Sequence, residues 1–424
     1  MLVAIFIGLV LILFLLGMAV PYALGLTAVV GMLYSGNFTI SSMQTLATKM
    51  ATGNSFTLLA IPLFLLSGSL MNVGSITDRI FKFCNALVGW IPGGLGQVNI
   101  LASIVFAGMS GSAVADAAGL GTIEIEAMKK EGFDSKFSAG ITAASSTIGP
   151  IIPPSIPLVV YGSVAGVSIA KLLVGGILPG VACGICLGLM VAWMAIKRKY
   201  PRRKFPSAKE LWDLFKHSFM SLMTPIILIG GMLSGVFTAT EAAAVASLYA
   251  IILTTVIYRE LNFKDIVNVF KGCCKETAAI MLVVAASTIY GYMITKYQIP
   301  SMVLHFFLSV SNSKWVFLLL INVFLLFVGC FMETNAAIMI LAPILLPAAI
   351  QFGVNPVHFG LIMVFNLMIG LLTPPVGMCL YATARVAKIS FEDTVKGTAP
   401  FYLPLGITLI LITCVPWLST ALGG

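Results

Sequence analysis

Apolar runs of about 20 residues, separated by short polar loops, dominate this chain, and a run of that length is what a helix needs to cross the hydrocarbon core of a bilayer. Nine segments qualify: Met1 to Leu33, Phe56 to Val73, Phe137 to Val160, Leu172 to Ile196, Phe219 to Val236, Glu241 to Tyr258, Thr277 to Ile294, Phe359 to Thr383 and Ala399 to Leu422. Two further apolar stretches, Val98 to Met128 and Trp315 to Ile350, are interrupted near their middles by small and polar residues and read as re-entrant hairpins. The first segment has neither a basic start nor a small-residue cleavage site, so it is expected to stay as a helix and not to be removed as a signal peptide.

Composition agrees with that pattern. Of the 424 residues, 59% are hydrophobic and only 9% charged, against roughly 25% charged in a soluble domain. The chain is therefore expected to be an all-α polytopic membrane protein lying in a lipid bilayer. The formal charge of +9 does not point to nucleic acid, because the basic residues sit in short loops and not on one polar domain. The eight cysteines mostly lie in apolar stretches and read as small buried hydrophobes, Cys183 and Cys186 included.

Short cytoplasmic loops retain positive charge, so the run KRKYPRRKF (Lys197 to Phe205) is placed inside. If the nine spans alternate and both hairpins enter and leave on one face, only Lys49, Lys171, Lys296 and Lys314 of the 24 basic residues fall outside. Making either hairpin a full crossing would spoil that asymmetry.

Gly and Pro landmarks then recur at one offset of 221 residues: Gly108 with Gly329, Gly149 with Gly370, Pro153-Pro154 with Pro374-Pro375, Gly176 with Gly397, and Pro179 with Pro400. Each half reads as span, span, amphipathic linker (Ile76 to Trp90; Pro300 to Val310), hairpin, Pro-interrupted span, span. The division is 1–197 for the first repeat, with its hairpin at about 98–128 and broken helix at about 137–160. Residues 198–240 supply the basic loop and a connecting span, and 241–424 form the second repeat, with its hairpin at about 315–350 and broken helix at about 359–383. The odd connecting span turns the second copy over in the membrane, an inverted-topology repeat of the kind secondary transporters use.

The first hairpin turns through GMSGSAVADAAG (Gly108 to Gly119), and the next span is broken at STIGPIIPPS (Ser146 to Ser155). Proline inside a helix frees a carbonyl, and glycine permits a sharp turn. Irregular backbone at membrane depth is tolerated only when buried or lining a cavity. Two such breaks side by side make a cage of carbonyl and hydroxyl oxygens suited to a hard cation such as sodium. The second half supplies GCFMETNAA (Gly329 to Ala337) with GLLTPPVG (Gly370 to Gly377). Close helix packing also explains small residues; it does not explain paired prolines recurring beside a recurrent hairpin.

Acids at membrane depth are functional candidates by default: Asp116, Glu124, Glu126, Glu241 and Glu333. Asp116 and Glu333 sit at or near the hairpin tips. Glu126 is expected to pair with nearby lysines, and Glu241 to partner a helix cap at Thr238 or Thr240. Arg385 reads as an interfacial topology signal. His217, His305 and His358 are expected in loops or linkers, forming no metal site. Gly108-Met109-Ser110-Gly111 resembles the nucleophile sequence of rhomboid intramembrane serine proteases, but such a serine needs a histidine base and none lies in a predicted span. No enzyme activity is expected. The chain has no GxxxxGK[ST] loop for ATP, so an ion gradient is left as the source of energy.

The combination FTLLAIPLFLLSG, PGGLGQVNILAS, GMSGSAVADAAGLGTIEIEAMKKEGFD, GPIIPPSIPLVVYG, TATEAAAVA and GLLTPPVGMCLYAT resembles the large membrane subunit of the tripartite ATP-independent periplasmic (TRAP) transporters over essentially the whole chain. The resemblance implies an ion-transporter-superfamily fold with a static scaffold and an elevator-like transport domain. It also implies sodium-coupled import of an organic acid, such as sialic acid, another sugar acid or a C4-dicarboxylate, across a bacterial inner membrane. Partners so implied are a small four-helix membrane subunit, expected as a separate chain, and a periplasmic substrate-binding protein. Sodium is the coupling ion and no other cofactor is expected. Carried over, the first sodium site involves Ser110, Gly111 and Ser112 with the break at Gly149, Pro150 and Pro153, supported by Asp116. The second involves Gly329, Glu333, Thr334, Asn335, Gly370, Thr373 and Pro374. The family pattern has Asp where Glu333 stands, and one extra methylene alters its reach. Substrate is expected between the tips, with Ser146, Thr147 and Thr373 as hydrogen-bond donors. A stand-alone sodium/divalent-anion symporter is the alternative of similar architecture.

Overall fold

The computed structural model describes residues 4–36, 39–52, 56–72, 75–201 and 203–423. Met1 to Val3 of the first expected span, Val73 at the end of the second and Arg202 in the basic run lie outside the described residues. The described chain is helical throughout, with no strand among those residues. Its helices are α1 (Val10–Leu15), α2 (Val20–Tyr34), α3 (Ile40–Thr52), α4 (Ala60–Asn72), α5 (Ile76–Val88), α6 (Leu95–Ser110), α7 (Ala113–Ala118), α8 (Leu120–Lys130), α9 (Ser135–Ser146), α10 (Ile156–Ala165), α11 (Ile169–Gly175) and α12 (Ile177–Arg198). There follow α13 (Ala208–Leu233), α14 (Ala239–Ile252), α15 (Phe263–Lys296), α16 (Ile299–Val310), α17 (Lys314–Gly329), α18 (Thr334–Gln351), α19 (Pro356–Gly370), α20 (Met378–Ala387), α21 (Phe391–Thr398), α22 (Tyr402–Cys414) and α23 (Trp417–Thr420).

Sparse polar residues punctuate this apolar chain by capping helices. Ser112, Asp134, Ser155, Ser168, Ser207, Asn355 and Ser390 each accept a backbone N–H at a helix start. Thr238 and Glu241 form a reciprocal capping box on α14, as the sequence predicts, and Glu126 pairs with Lys130 at 2.7 Å. Six helices among the described residues are long and apolar enough to span a membrane, and α12 turns Ile185, Leu189 and Trp193 outward. Apolar side chains facing outward on that scale belong in lipid, and the chain is a multi-pass membrane protein.

The order of helices can be laid out in two runs. The series α2, α3–α4, α5, α6, α7–α8, α9, α10 and α11–α12 is followed, after α13, by α14, α15, α16, α17, α18, α19, α20 and α21–α22. The helix beginning at Ser135 ends in a break at 147–155, and the one beginning at Pro356 ends in a break at 371–377. Each break holds a cis Pro-Pro bond.

Four expectations change. The first segment is not one span: the chain turns after Leu15 and folds back, laying the Phe6 ring over Gly31 while Phe6 O accepts from the Tyr290 hydroxyl at 2.6 Å. Helix α3 is unexpected, because ISSMQTLATKMAT carries too many polar residues for a hydropathy window. The expected span Thr277 to Ile294 is the inner part of the 34-residue α15, about 51 Å long and so well beyond the hydrocarbon core. His358 lies neither in a loop nor in a linker: it is fully buried in α19 with Nδ1 3.2 Å from Ser419 Oγ.

The two halves interlock. Helix α9 packs on α20 and α21, α10 on α18, α12 on α22, α4 on α14 and α2 on α15. At the α9–α21 crossing the backbones touch, since a Cβ on Gly140 would lie 2.7 Å from Thr398 N. Lys136 closes that crossing with an ion pair to Asp393 at 2.8 Å, and Lys129 Nζ donates to Ala387 O.

Candidate functional site

Both interrupted stretches are helical hairpins. In the first, α6 ends at Ser110, Gly111 takes a left-handed conformation (φ 64°), and Ser112 starts α7 by accepting from Ala115 N at 3.4 Å. Glycine is required twice over at 111, by that φ and because a Cβ there would stand 2.6 Å from Pro154 O. The tip therefore lies directly on the break between α9 and α10. Asp116 is buried beneath it, with Oδ1 accepting from Ser110 Oγ. Its Oδ2 has no partner and lies against Gly149. Among the described residues no Lys or Arg pairs with it. Pro150 O accepts from Ser155 Oγ, so part of the break is already satisfied.

The second hairpin presses its tip on the second break. A Cβ on Gly329 would lie 3.0 Å from Gly370 Cα and 3.2 Å from Leu367 Cα. Val376 N reaches Cys330 O at 3.4 Å, and the Tyr402 hydroxyl donates to Leu372 O at 2.5 Å. Glu333 starts α18, accepting from Ala336 N at 3.0 Å and from Asn335 Nδ2 at 2.8 Å. It stands 221 residues after Ser112 and does the same job there, that of a helix cap. Thr334 Oγ1 and Asn335 Oδ1 are buried atoms without partners. Pro153 belongs to the buried first break; Pro374 belongs to the second, which is exposed at 374–376.

A cap whose two carboxylate oxygens both bond within the first turn of α18 is replaceable by a shorter cap. Glu333→Ser is expected to leave thermal stability in detergent within ~0.5 kcal/mol of the parent, whereas Glu333→Ala loses ~1 kcal/mol. Equal melting curves for the alanine and serine variants would remove the capping role.

One cavity of about 1070 Å³ joins the two tips. Ser110, Gly111, Ser112 and Pro150 line it from the first hairpin and break, and Glu333, Thr334, Asn335 and Leu371 from the second. Tyr22 of α2, Ser69 and Asn72 of α4 and Glu276 of α15 close the other side. Three of the expected substrate donors are elsewhere. Ser146 donates to Ala143 O at 2.8 Å, Thr147 to Ala144 O at 2.7 Å and Thr373 to Ile369 O at 2.9 Å, and none of the three lines the cavity. Sequence reading missed Ser69, Asn72 and Glu276 because isolated polar residues on long apolar helices carry no motif.

The unpartnered side-chain atoms at the tips are all oxygens: one carboxylate, one hydroxyl and one amide carbonyl. That donor set fits a hard monovalent cation, and the Cys330 thiol beside the second tip is already bonded to Leu326 O. It does not fit nucleophilic catalysis, since Ser110 is bonded to Asp116 and the buried histidine His358 to Ser419.

Comparison with known proteins follows the same line. The "Tripartite ATP-independent periplasmic transporter, DctM component" family model matches residues 7–418. The sialic acid TRAP transporter large permease protein SiaM of Vibrio cholerae is 47% identical over 87% of this chain and 87% of its own length. The sialic acid TRAP transporter permease protein SiaT of Haemophilus influenzae is 44% identical over 87% of this chain, which spans 60% of that longer protein. Among solved structures, the YdaH transporter of Alcanivorax borkumensis shares the fold at a TM-score of 0.66 and 14% identity, covering 90% of this chain and 89% of that one. The Vibrio cholerae and Haemophilus influenzae relatives are transporter permease proteins, not enzymes, and by the family match over nearly its whole length the chain belongs to the DctM family, the large membrane component of TRAP transporters.

Proposed function

We propose that this chain is the membrane permease of a sodium-coupled secondary importer for an organic acid, with sialic acid as the first substrate to test. The single observation that carries the reading is the shared cavity: two hairpin tips and two broken helices, built alike, converge on one space of about 1070 Å³. The names of the relatives at 47% and 44% identity support sialic acid; another sugar acid or a C4-dicarboxylate is the next class.

In this reading the hairpins are re-entrant, the halves are inverted copies, and the chain lies in a bacterial inner membrane. Sodium binds where each tip meets its break: Ser110, Gly111, Ser112, Gly149, Pro150 and Pro153 on one side, Gly329, Thr334, Asn335, Gly370, Thr373 and Pro374 on the other. Asp116 balances the first ion's charge, and Glu333 holds the start of α18 in place. The substrate lies in the cavity between the two tips, where α7 and α18 begin. Asn72 and Ser69 reach it from the opposite wall. The boundary between hairpin-bearing helices and the wall of α2, α4 and α15 runs through the cavity, which suits an elevator motion of one body along the other. The 118° bend between Ile299–Val310 and Lys314–Gly329 supplies an arm at that boundary. Substrate is delivered by a periplasmic binding protein, and a small membrane subunit completes the scaffold.

The test is uptake of labelled sialic acid into proteoliposomes carrying this chain, its small subunit and its binding protein. Uptake is expected only with an inward sodium gradient and only with the binding protein present. Uptake without that protein would favour a stand-alone symporter, and uptake driven equally by potassium would end the sodium reading.

A further inference from the structure

A second buried carboxyl lies in the first hairpin, apart from the tip. Glu124 of α8 is 1% exposed, and its Oε2 accepts from Asn99 Nδ2 of α6 at 2.6 Å. The same amide nitrogen reaches Thr142 Oγ1 at 2.8 Å, and Ser145 Oγ donates to Asn99 Oδ1 at 2.6 Å. Donors thus run in one direction, Ser145 to Asn99 to Glu124, and end on the carboxyl. Glu124 Oε1 has no partner.

No cation answers this group among the described residues. The nearby lysines are spent elsewhere: Lys129 on Ala387 O, Lys130 on Glu126 and Lys136 on Asp393. Facing Glu124 are Cys84 of α5 and Asp116 of α7. Of the other packed elements, α9 brings only Lys136, α20 brings Cys379, Tyr381 and Arg385, and α6 brings no titratable side chain. An ionised carboxyl in such surroundings costs many kcal/mol, so the site must hold one unit of positive charge. A metal ion needs several converging oxygens. Here the Asn99 carbonyl is taken by Ser145, and Thr142 Oγ1 by the Asn99 amide, so only Oε1 is left, which is enough for a proton.

We propose that Glu124 is a proton-binding site of the hairpin body, loaded with one proton whenever α8 is packed on α9, and that transport is pH sensitive through it. The proton comes from bulk water and converts carboxylate to carboxylic acid with no other bond made or broken. A group this buried exchanges its proton only when the packing opens, which links titration to movement of the hairpin. The functional half of this proposal rests on the transport reading above; the binding half does not.

Two measurements test it. In proteoliposomes with a fixed sodium gradient, wild-type uptake is expected to fall at least about threefold from about pH 6 to about pH 8.5, while Glu124→Gln, which mimics the loaded form, changes less than about 1.5-fold. Parallel profiles would overturn the coupling. In detergent, without transport, wild-type thermal stability is expected to fall as pH rises over that range, because the folded state keeps a proton the unfolded chain has lost; Glu124→Gln is expected to show a smaller slope. Equal slopes would overturn the site itself. If added sodium, but not choline, removed the wild-type pH slope and left the Glu124→Gln slope unmoved, the ion would be sodium and the proton assignment wrong. No uptake by any protein at any pH, with the stability difference intact, would fault the transport reading and leave the site standing.

Discussion

Gly370→Ala is expected to abolish sodium-driven uptake while the protein still inserts in the membrane. A methyl group at 370 would stand 2.7 Å from Gly329 O and closer still to the rest of that peptide, all of it backbone in the opposing hairpin. No rotamer change relieves such a clash, so α17 must part from α19. Overpacking of this kind costs about 1–3 kcal/mol, and a displacement of the tip by the width of a methyl group exceeds the tolerance of any oxygen cage. A loss of transport of about a hundredfold corresponds to about 2.8 kcal/mol, within that range. Gly272→Ala on α15 is the control, because a Cβ there meets nothing within 4 Å. The readout is initial uptake per inserted protein. Uptake within about twofold of the parent would mean that the two glycines meet for packing convenience alone.

Asp116→Asn is expected to remove sodium dependence, with an effect of similar size. The substitution keeps the shape and the hydrogen bond from Ser110, but it deletes the negative charge and turns one oxygen into an amide donor beside Gly149. A cation held by that charge is then left with neutral oxygens only. We expect radioactive sodium binding to the purified protein to drop at least about tenfold, and uptake to fall to background at sodium concentrations that saturate the parent. Ser110→Ala, which keeps the charge and loses one donor, is expected to be milder. An unchanged sodium titration in Asp116→Asn would place the ion elsewhere.

Much of this architecture is legible in the sequence because membranes make backbone irregularity expensive. Gly and Pro disrupt a helix wherever they stand together, so Gly149 with Pro153-Pro154 and Gly370 with Pro374-Pro375 mark both breaks. The capping box of Thr238 and Glu241 is legible for the same reason, being local. What is not legible is whatever depends on which way a side chain turns. Ser146 and Thr147 sit beside the break as expected, yet each spends its hydroxyl on its own helix. Glu333 has the composition of a ligand and the position of a cap. The turn after Leu15 escaped notice because hydropathy does not fall there, although Gly17, at a φ of 82°, marks it. Asn99 went unremarked because a single amide on an apolar helix has meaning only beside Glu124, and nothing in their spacing says that α6 and α8 meet there.

The bond from Lys129 to Ala387 O joins residues 258 positions apart, and the contact of Gly140 with Gly397 is similarly remote. During synthesis the ribosome therefore delivers the entire first hairpin and its broken partner long before the helices that seal them exist. Until α20 and α21 emerge, α9 must wait with an open flank in the lipid or the insertion machinery. Chains cut short before about residue 390 should accordingly be recognised as unfinished and degraded, so quality control of this permease is decided at its C-terminal end.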